Sequence, residues 1–235
     1  INVYLDDWLI GTLTMSDGFS ILSDGTEVEY YDYDGDNLLS AGDMIAITGN
    51  DWDGYNIQEL NTSLSRMSAI GAMSLTIPGP KMIWHFSDLG MDNSLFTCYD
   101  GSVYEPDCKL DTKPQPQWVD NWLSNDNRRE IYDNWSRIID LKVNEDVFEG
   151  NYSITSGGLT PIIYIWDDNI SSSELKNVVI LANFDVVDQS ITPYFPYSGT
   201  WFDLMDEDGD TALNVASTTD QITLQPGEFK IYGNQ

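Results

Sequence analysis

At 235 residues the chain can hold one large domain or two small ones, and its 39 Asp and Glu against 10 Lys and Arg leave a formal net charge of −29. A surface that acidic repels nucleic acid and anionic lipid, and no apolar run approaches the ~20 residues of a membrane span, so neither is a sensible partner. The 8 Trp and 13 Tyr exclude a disordered acidic tail, and the charge reads as a solvated surface suited to saline surroundings.

Residues 1–53 read as a β module. Strands are expected over Asn2–Ile10, Thr12–Met15, Thr26–Tyr33 and Met44–Thr48, with Asp17-Gly18 and Asp24-Gly25 as turns. Between the last two strands, Asp32, Asp34, Asp36 and Asp43 occupy positions 1, 3, 5 and 12 of a twelve-residue loop. That is the ligand spacing of a calcium loop, with the Leu38 carbonyl at position 7 and Ser40 at position 9. Asn37 stands where such loops carry Gly, Asp43 where they carry Glu, and the flanks are strands. The reading is a calcium-stabilised β-hairpin, with a plain Asp/Gly turn as its rival. The phrase also resembles repeats in secreted surface and pilin-like proteins.

Residues 54–143 are mixed. Ile57, Leu60, Leu64, Met67, Ile70 and Gly71 have helical spacing over Ile57–Ala72, with Asn56 as a cap and Pro78-Gly79-Pro80 as the stop. Lys81–Phe86 reads as a short apolar strand. Ser87–Trp118 is a long loop holding Pro114, Pro116 and the chain's two cysteines, Cys98 and Cys108. Their closeness points to one disulfide closing a small loop, with free thiols as the alternative. Zinc needs more ligands than these and the single histidine, His85, supply. A second helix is expected over Asp126–Leu141, with Ile131, Trp135, Ile138, Ile139 and Leu141 on its apolar face. Sequons at Asn61, Asn134, Asn151 and Asn169 are compatible with export.

Residues 144–235 return to short strands. Val178–Leu181 is an apolar run, Gly199–Trp201 punctuates, and Gln225-Pro226-Gly227-Glu228 turns into a final strand Phe229–Tyr232. The pattern is an antiparallel β-sandwich. Asp206, Asp208 and Asp210 repeat the acidic core of the first loop without a distal acid, and form a second, weaker calcium candidate.

Three stretches resemble the α-amylase family, glycoside hydrolase family 13. Asn183-Phe184, Gly199-Thr-Trp201-Phe-Asp203 and Leu224-Gln-Pro-Gly-Glu228-Phe follow the order of that family's all-β C-terminal domain. Tyr55-Asn56-Ile57, Glu59–Thr62 and Ile77-Pro-Gly-Pro-Lys-Met-Ile-Trp84 resemble its last helix–strand unit, and Asn127–Leu141, with Arg128-Arg129, Tyr132-Asp133 and Trp135, resembles the helix that follows. The resemblance runs over roughly residues 54–232. It implies that Lys81–Phe86 is the eighth strand of a (β/α)8 barrel, of which this chain keeps two helices and one strand. The implied fold is mainly β, with a small α+β middle between the N-terminal module and the sandwich.

A complete barrel takes about 250 residues. The family's retaining chemistry needs a nucleophilic carboxylate and an acid on earlier barrel strands, with a third acid in a His-Asp pair. Upstream of Tyr55 the chain reads Tyr31-Asp-Tyr-Asp-Gly-Asp36, with no His-Asp pair. No catalytic role can be carried over, and the chain as it stands is expected not to hydrolyse α-glucans. Trp84, His85 and Trp118 are the candidate sugar contacts, since flat aromatic faces suit pyranose C–H groups; Trp122 and Trp166 belong to the same set, and core packing is the competing use.

The expected protein is secreted, reads as a segment of something longer, and is non-catalytic, with a structural or α-glucan-binding role. Its rivals are a fragment of an extracellular α-amylase acting on α-1,4-glucans, and a subunit of a filament or surface layer that self-associates through strand edges at Val3–Ile10 and Lys81–Phe86.

Overall fold

The computed structural model describes residues 2–5, 8–12, 19–21, 27–31, 44–48, 51–52, 55–94, 96–100, 102–103, 108 and 116–234, and the chain divides into two compact units, 1–59 and 60–235. In the first unit, β1 (Asn2–Leu5) and β2 (Trp8–Thr12) pair antiparallel with Leu5 opposite Trp8. The single strand expected over Asn2–Ile10 is thus a hairpin, and the Asp6-Asp7 pair between its halves has poor strand propensity. β3 (Phe19–Ile21), β4 (Glu27–Tyr31) and β5 (Met44–Thr48) form an antiparallel sheet in that order. A short pair, β6 (Asp51–Trp52) and β7 (Tyr55–Asn56), ends the unit. Leu13–Met15 of an expected strand and both Asp-Gly turns lie outside the described residues.

The second unit is built on a sheet of six antiparallel strands. Its members in chain order are β8 (Asn151–Thr155), β9 (Ile162–Trp166), β10 (Asn177–Ala182), β12 (Gly199–Asp203), β13 (Ala212–Val215) and β15 (Phe229–Asn234), arranged β13-β12-β15-β10-β9-β8. A separate ribbon pairs β11 (Gln189–Ile191) with β14 (Ile222–Leu224). Strand β10 explains why Val178–Ala182 is apolar on both faces. Val178 and Ile180 face a core built with the helices, while Val179 and Leu181 face a core with Ile191, Phe195, Trp201 and Leu224. A strand covered on both sides loses the polar alternation of a half-exposed one.

Four α-helices are described: α1 (Leu60–Ser65), α2 (Met67–Leu75), α3 (Pro116–Val119) and α4 (Asp126–Asn144). Helix α4 is the best formed in the sequence. The Asn125 side chain accepts from the Arg128 backbone N–H at 3.1 Å, Asp126 sits in the first turn and Lys142 in the last, and each suits the helix dipole at its end. Its stripe Ile131, Trp135, Ile138 and Leu141 is buried in one core with Leu64, Ala72, Phe148, Ile163 and Ile180. Close approach of α2 to α4 requires Gly71, because a Cβ there would stand 2.1 Å from Trp135 Nε1. The same indole donates to the Met67 carbonyl at 3.0 Å.

Two expectations are corrected in this unit. The helix expected over Ile57–Ala72 is two helices that start later and end later. Asn56 receives the Gln58 N–H at 2.9 Å in a local turn instead of capping a helix. At the junction the Arg66 guanidinium donates to the Phe184 and Asp185 carbonyls, at 2.5 and 3.2 Å. The expected strand Lys81–Phe86 is not a strand. Residues 81–84 have no regular structure, and His85 and Phe86 are left-handed, with φ of 34° and 61°. An apolar run becomes a strand only where a neighbour accepts its ladder, and among the described residues none lies beside it.

Candidate carbohydrate-binding surface

The left-handed turn that replaces the strand gathers aromatic rings. Trp84 and His85 have ring centroids 6.5 Å apart, His85 and Phe86 5.3 Å, and Phe86 meets Trp118 edge-on at 6.2 Å. The two indoles at the ends of this row are open to solvent, Trp84 at 68% and Trp118 at 69% exposure. His85 Nε2 is buried without a hydrogen-bond partner among the described residues. The structure therefore brings Trp84, His85 and Trp118 into one row, and adds Phe86 as the ring that joins the two ends.

The turn is held by its own backbone and by one arginine. The Ser87 N–H donates to Trp84 O at 2.9 Å, and the N–H groups of Leu89 and Met91 both donate to Phe86 O, at 2.9 and 3.2 Å. Arg128, buried on α4, donates through Nη1 to the Leu89 carbonyl at 2.8 Å and to the Gly90 carbonyl, and through Nη2 to Asp92 at 3.2 Å. Its guanidinium lies 4.0 Å from the centre of the Trp122 ring, a cation–π contact that also buries its apolar flank. Trp122 is accordingly a core residue at 7% exposure, and Trp166 stacks on Tyr164 with centroids 4.8 Å apart. Sequence reasoning missed Phe86, read as a strand residue, and the clamping role of Arg128. The only signal for Arg128 was its place in the Arg128-Arg129 motif.

The remaining candidates lie apart from this row. Cys98 and Cys108 are bonded, with sulfurs 2.09 Å apart, and the Cys98 N–H donates to Ser102 O at 2.7 Å within the loop they close. Asp32, Asp34, Asp36, Leu38 and Asp43 lie outside the described residues; the strands on either side, β4 and β5, pair with Tyr31 opposite Met44. Asp206 accepts from the Asp208 and Thr211 N–H groups at 3.2 and 2.8 Å, and the hydrogen bonding from Thr211 holds its carboxyl below the usual range. Asp206 thus closes a turn, and among the described residues no three His, Cys, Asp or Glu side chains gather to hold a metal ion. A cleft of 840 Å³ between α4 and the loops around Asp167 and Asp206 is walled mainly by polar and acidic side chains, among them Glu145, Asp146 and Glu174. It lacks the exposed indoles of the Trp84 row. Among the described residues no helix is long and apolar enough to cross a membrane.

No protein-family profile matches the chain, and no curated protein does. Solved structures do match its fold. AmyP in complex with maltose aligns at a TM-score of 0.55 and 14% identity, over 78% of this chain and 37% of that one, and so does an AmyP variant in complex with maltotriose. Pullulanase from Bacillus acidopullulyticus aligns at 0.52 and 12% identity, over 75% of this chain and 21% of its own. Pullulanase type I from Bacillus subtilis, complexed with maltose, aligns at 0.52 and 11%, over 76% and 25%. The chain thus spans about a third or less of the enzymes it resembles, and what it shares with these amylase-type and pullulanase enzymes is the fold of a part of them.

Proposed function

We propose that this chain is a non-catalytic, α-glucan-binding part of a secreted amylase-type protein, and that Trp84, His85 and Trp118 are its sugar contacts. The observation that carries the reading is the row itself. Two indoles more than two-thirds exposed stand at the ends of one row of rings that runs through His85 and Phe86. Exposed flat rings offer faces to pyranose C–H groups. Support for the ligand class is that AmyP and the Bacillus subtilis pullulanase are complexed with maltose. The Cys98–Cys108 disulfide supports an oxidising compartment.

Titration with maltotriose, followed by tryptophan fluorescence, tests it. Binding is expected, with Trp84→Ala weakening affinity about fivefold to tenfold, the loss of roughly 1 kcal/mol of ring contact. No retardation on a starch column would sink the glucan reading.

A second reading is favoured by Met82 and Val119, which are 80% and 83% exposed beside the row. Apolar side chains so bare fit a face that further barrel strands cover. In this reading the chain is a piece of a working α-amylase. Starch hydrolysis by a longer protein that includes it, and not by the chain alone, separates the two.

Calcium at Asp32–Asp43 is proposed from ligand spacing alone. Melting with calcium against chelator reads it: a filled site adds about 2.7 kcal/mol at a hundredfold excess over Kd, and no shift removes the site.

A further inference from the structure

Among the described residues the main sheet has two edges, β13 and β8, and β8, the longer, carries none of the usual protections of an edge. All five of its residues are exposed. It opens a run of 17 residues, 150–166, without one charged side chain, in a chain where 21% of residues are charged. Edge strands are normally guarded by charge, proline or a bulge. β8 has no charge and no proline, and pairs with β9 in unbroken register from Asn151 opposite Trp166 to Thr155 opposite Ile162.

The direction of its free backbone groups follows from the next pair. The Asp167 N–H donates to Lys176 O at 3.1 Å and the Ala182 N–H to Pro161 O at 3.4 Å. Hydrogen bonding in an antiparallel pair alternates, so the odd-numbered residues of β9 bond toward β10, and Ile162, Tyr164 and Trp166 bond toward β8. Their partners there are Thr155, Ser153 and Asn151. The backbone N–H and C=O groups of Tyr152 and Ile154 therefore point outward, away from the sheet. Both side chains stand opposite Ile165 and Ile163, on the helix side of the sheet, and are 49% and 44% exposed.

We infer that β8 pairs antiparallel with β8 of a second copy of this chain, about a two-fold axis at Ser153. In that register Tyr152 of each copy faces Ile154 of the other, and these pairs exchange the outward backbone hydrogen bonds. Each is an aromatic against a β-branched side chain, among the favourable cross-strand combinations. Asn151 faces Thr155, so no like charges meet. Charge also selects the occupant. A basic partner has acidic surface to choose elsewhere, whereas two copies at −29 each repel least along an uncharged strip. Their long-range repulsion is screened by salt, since the Debye length falls from about 30 Å at 0.01 M to about 3 Å at 1 M. The pairing therefore strengthens with ionic strength, opposite to an association driven by charge attraction.

Sedimentation equilibrium of the full chain at low and high salt tests this. A concentration-dependent dimer favoured by high salt is expected. Ile154→Lys, an exposed change, should weaken it about tenfold while leaving the melting temperature of the monomer unchanged. Ser153→Cys places two thiols at the axis, where facing residues of a narrow pair have Cα atoms about 4.5 Å apart, within disulfide reach. It should cross-link on mild oxidation, and Thr155→Cys, displaced from the axis, should not. A chain that stays monomeric at high salt, a dimer indifferent to Ile154→Lys, or equal cross-linking of the two cysteine variants would overturn the proposal.

Discussion

Two apolar runs in this chain look alike as text and end differently. Val178–Leu181 becomes the fully buried centre of β10, with β15 on one side and β9 on the other. Lys81–Trp84 becomes irregular backbone with Trp84 in solvent. Val178–Ile180 is β-branched throughout, and Lys81 is a poorer strand former. What also separates them is whether neighbouring strands, among the described residues, take up the ladder. A strand is a property of a pair, and a run without its pair keeps the hydrophobicity without the structure.

That contrast sets an order of expected effects. Ile180→Ala should cost about 2–5 kcal/mol in urea unfolding, because it opens a cavity in a fully buried strand, while Ile83→Ala, at 37% exposure, should cost less than about 0.5 kcal/mol. Equal costs would mean that Lys81–Trp84 is covered in solution. Next comes Arg128→Met, which keeps the bulk and removes the donors to Leu89, Gly90 and Asp92. Two carbonyls left without a donor should cost about 1–3 kcal/mol. Loosening of the turn should also blunt the fluorescence response to maltotriose, and an unchanged response would detach the Trp84 row from the clamp.

The smallest effect is alkaline. Tyr164 and Tyr232 both stand opposite Val179, and burial pushes each hydroxyl up to about 12. The unfolded chain ionises near 10, so their contribution is intact below about pH 10 and declines as pH rises from there toward 12. Tyr164→Phe should reduce that decline in urea melts at alkaline pH, and an unaltered profile would assign it elsewhere.

Much of the second unit was legible in the residues. Helix α4 announced itself by the spacing of Ile131, Trp135, Ile138 and Leu141, although Ile139, expected on the same face, is exposed. Strands β10 and β15 showed as apolar runs bounded by turns, with Gln225–Glu228 before the second. Trp84, His85 and Trp118 could be named one by one as flat or polar groups near a motif. That they form a row could not be read, because the row depends on left-handed backbone at His85 and Phe86 and on a guanidinium 42 positions away. Neither leaves a local trace: neither residue is a glycine, and Arg128 looks like any cation on an exposed helix. Lys81–Phe86 reads as a strand for the same reason, since whether a neighbour takes up its ladder is not written in residues 81–86.

The helices and the main sheet close over a single set of side chains, with Leu64, Ile131 and Trp135 touching the same interior as Ile163, Val178 and Ile231. Neither half can withdraw without baring the other to water. Residues 60–234 should accordingly lose near- and far-ultraviolet dichroism together on heating, as one cooperative transition. A shortened chain that keeps the sheet and omits α4 would be recovered as aggregate instead of as a smaller folded protein.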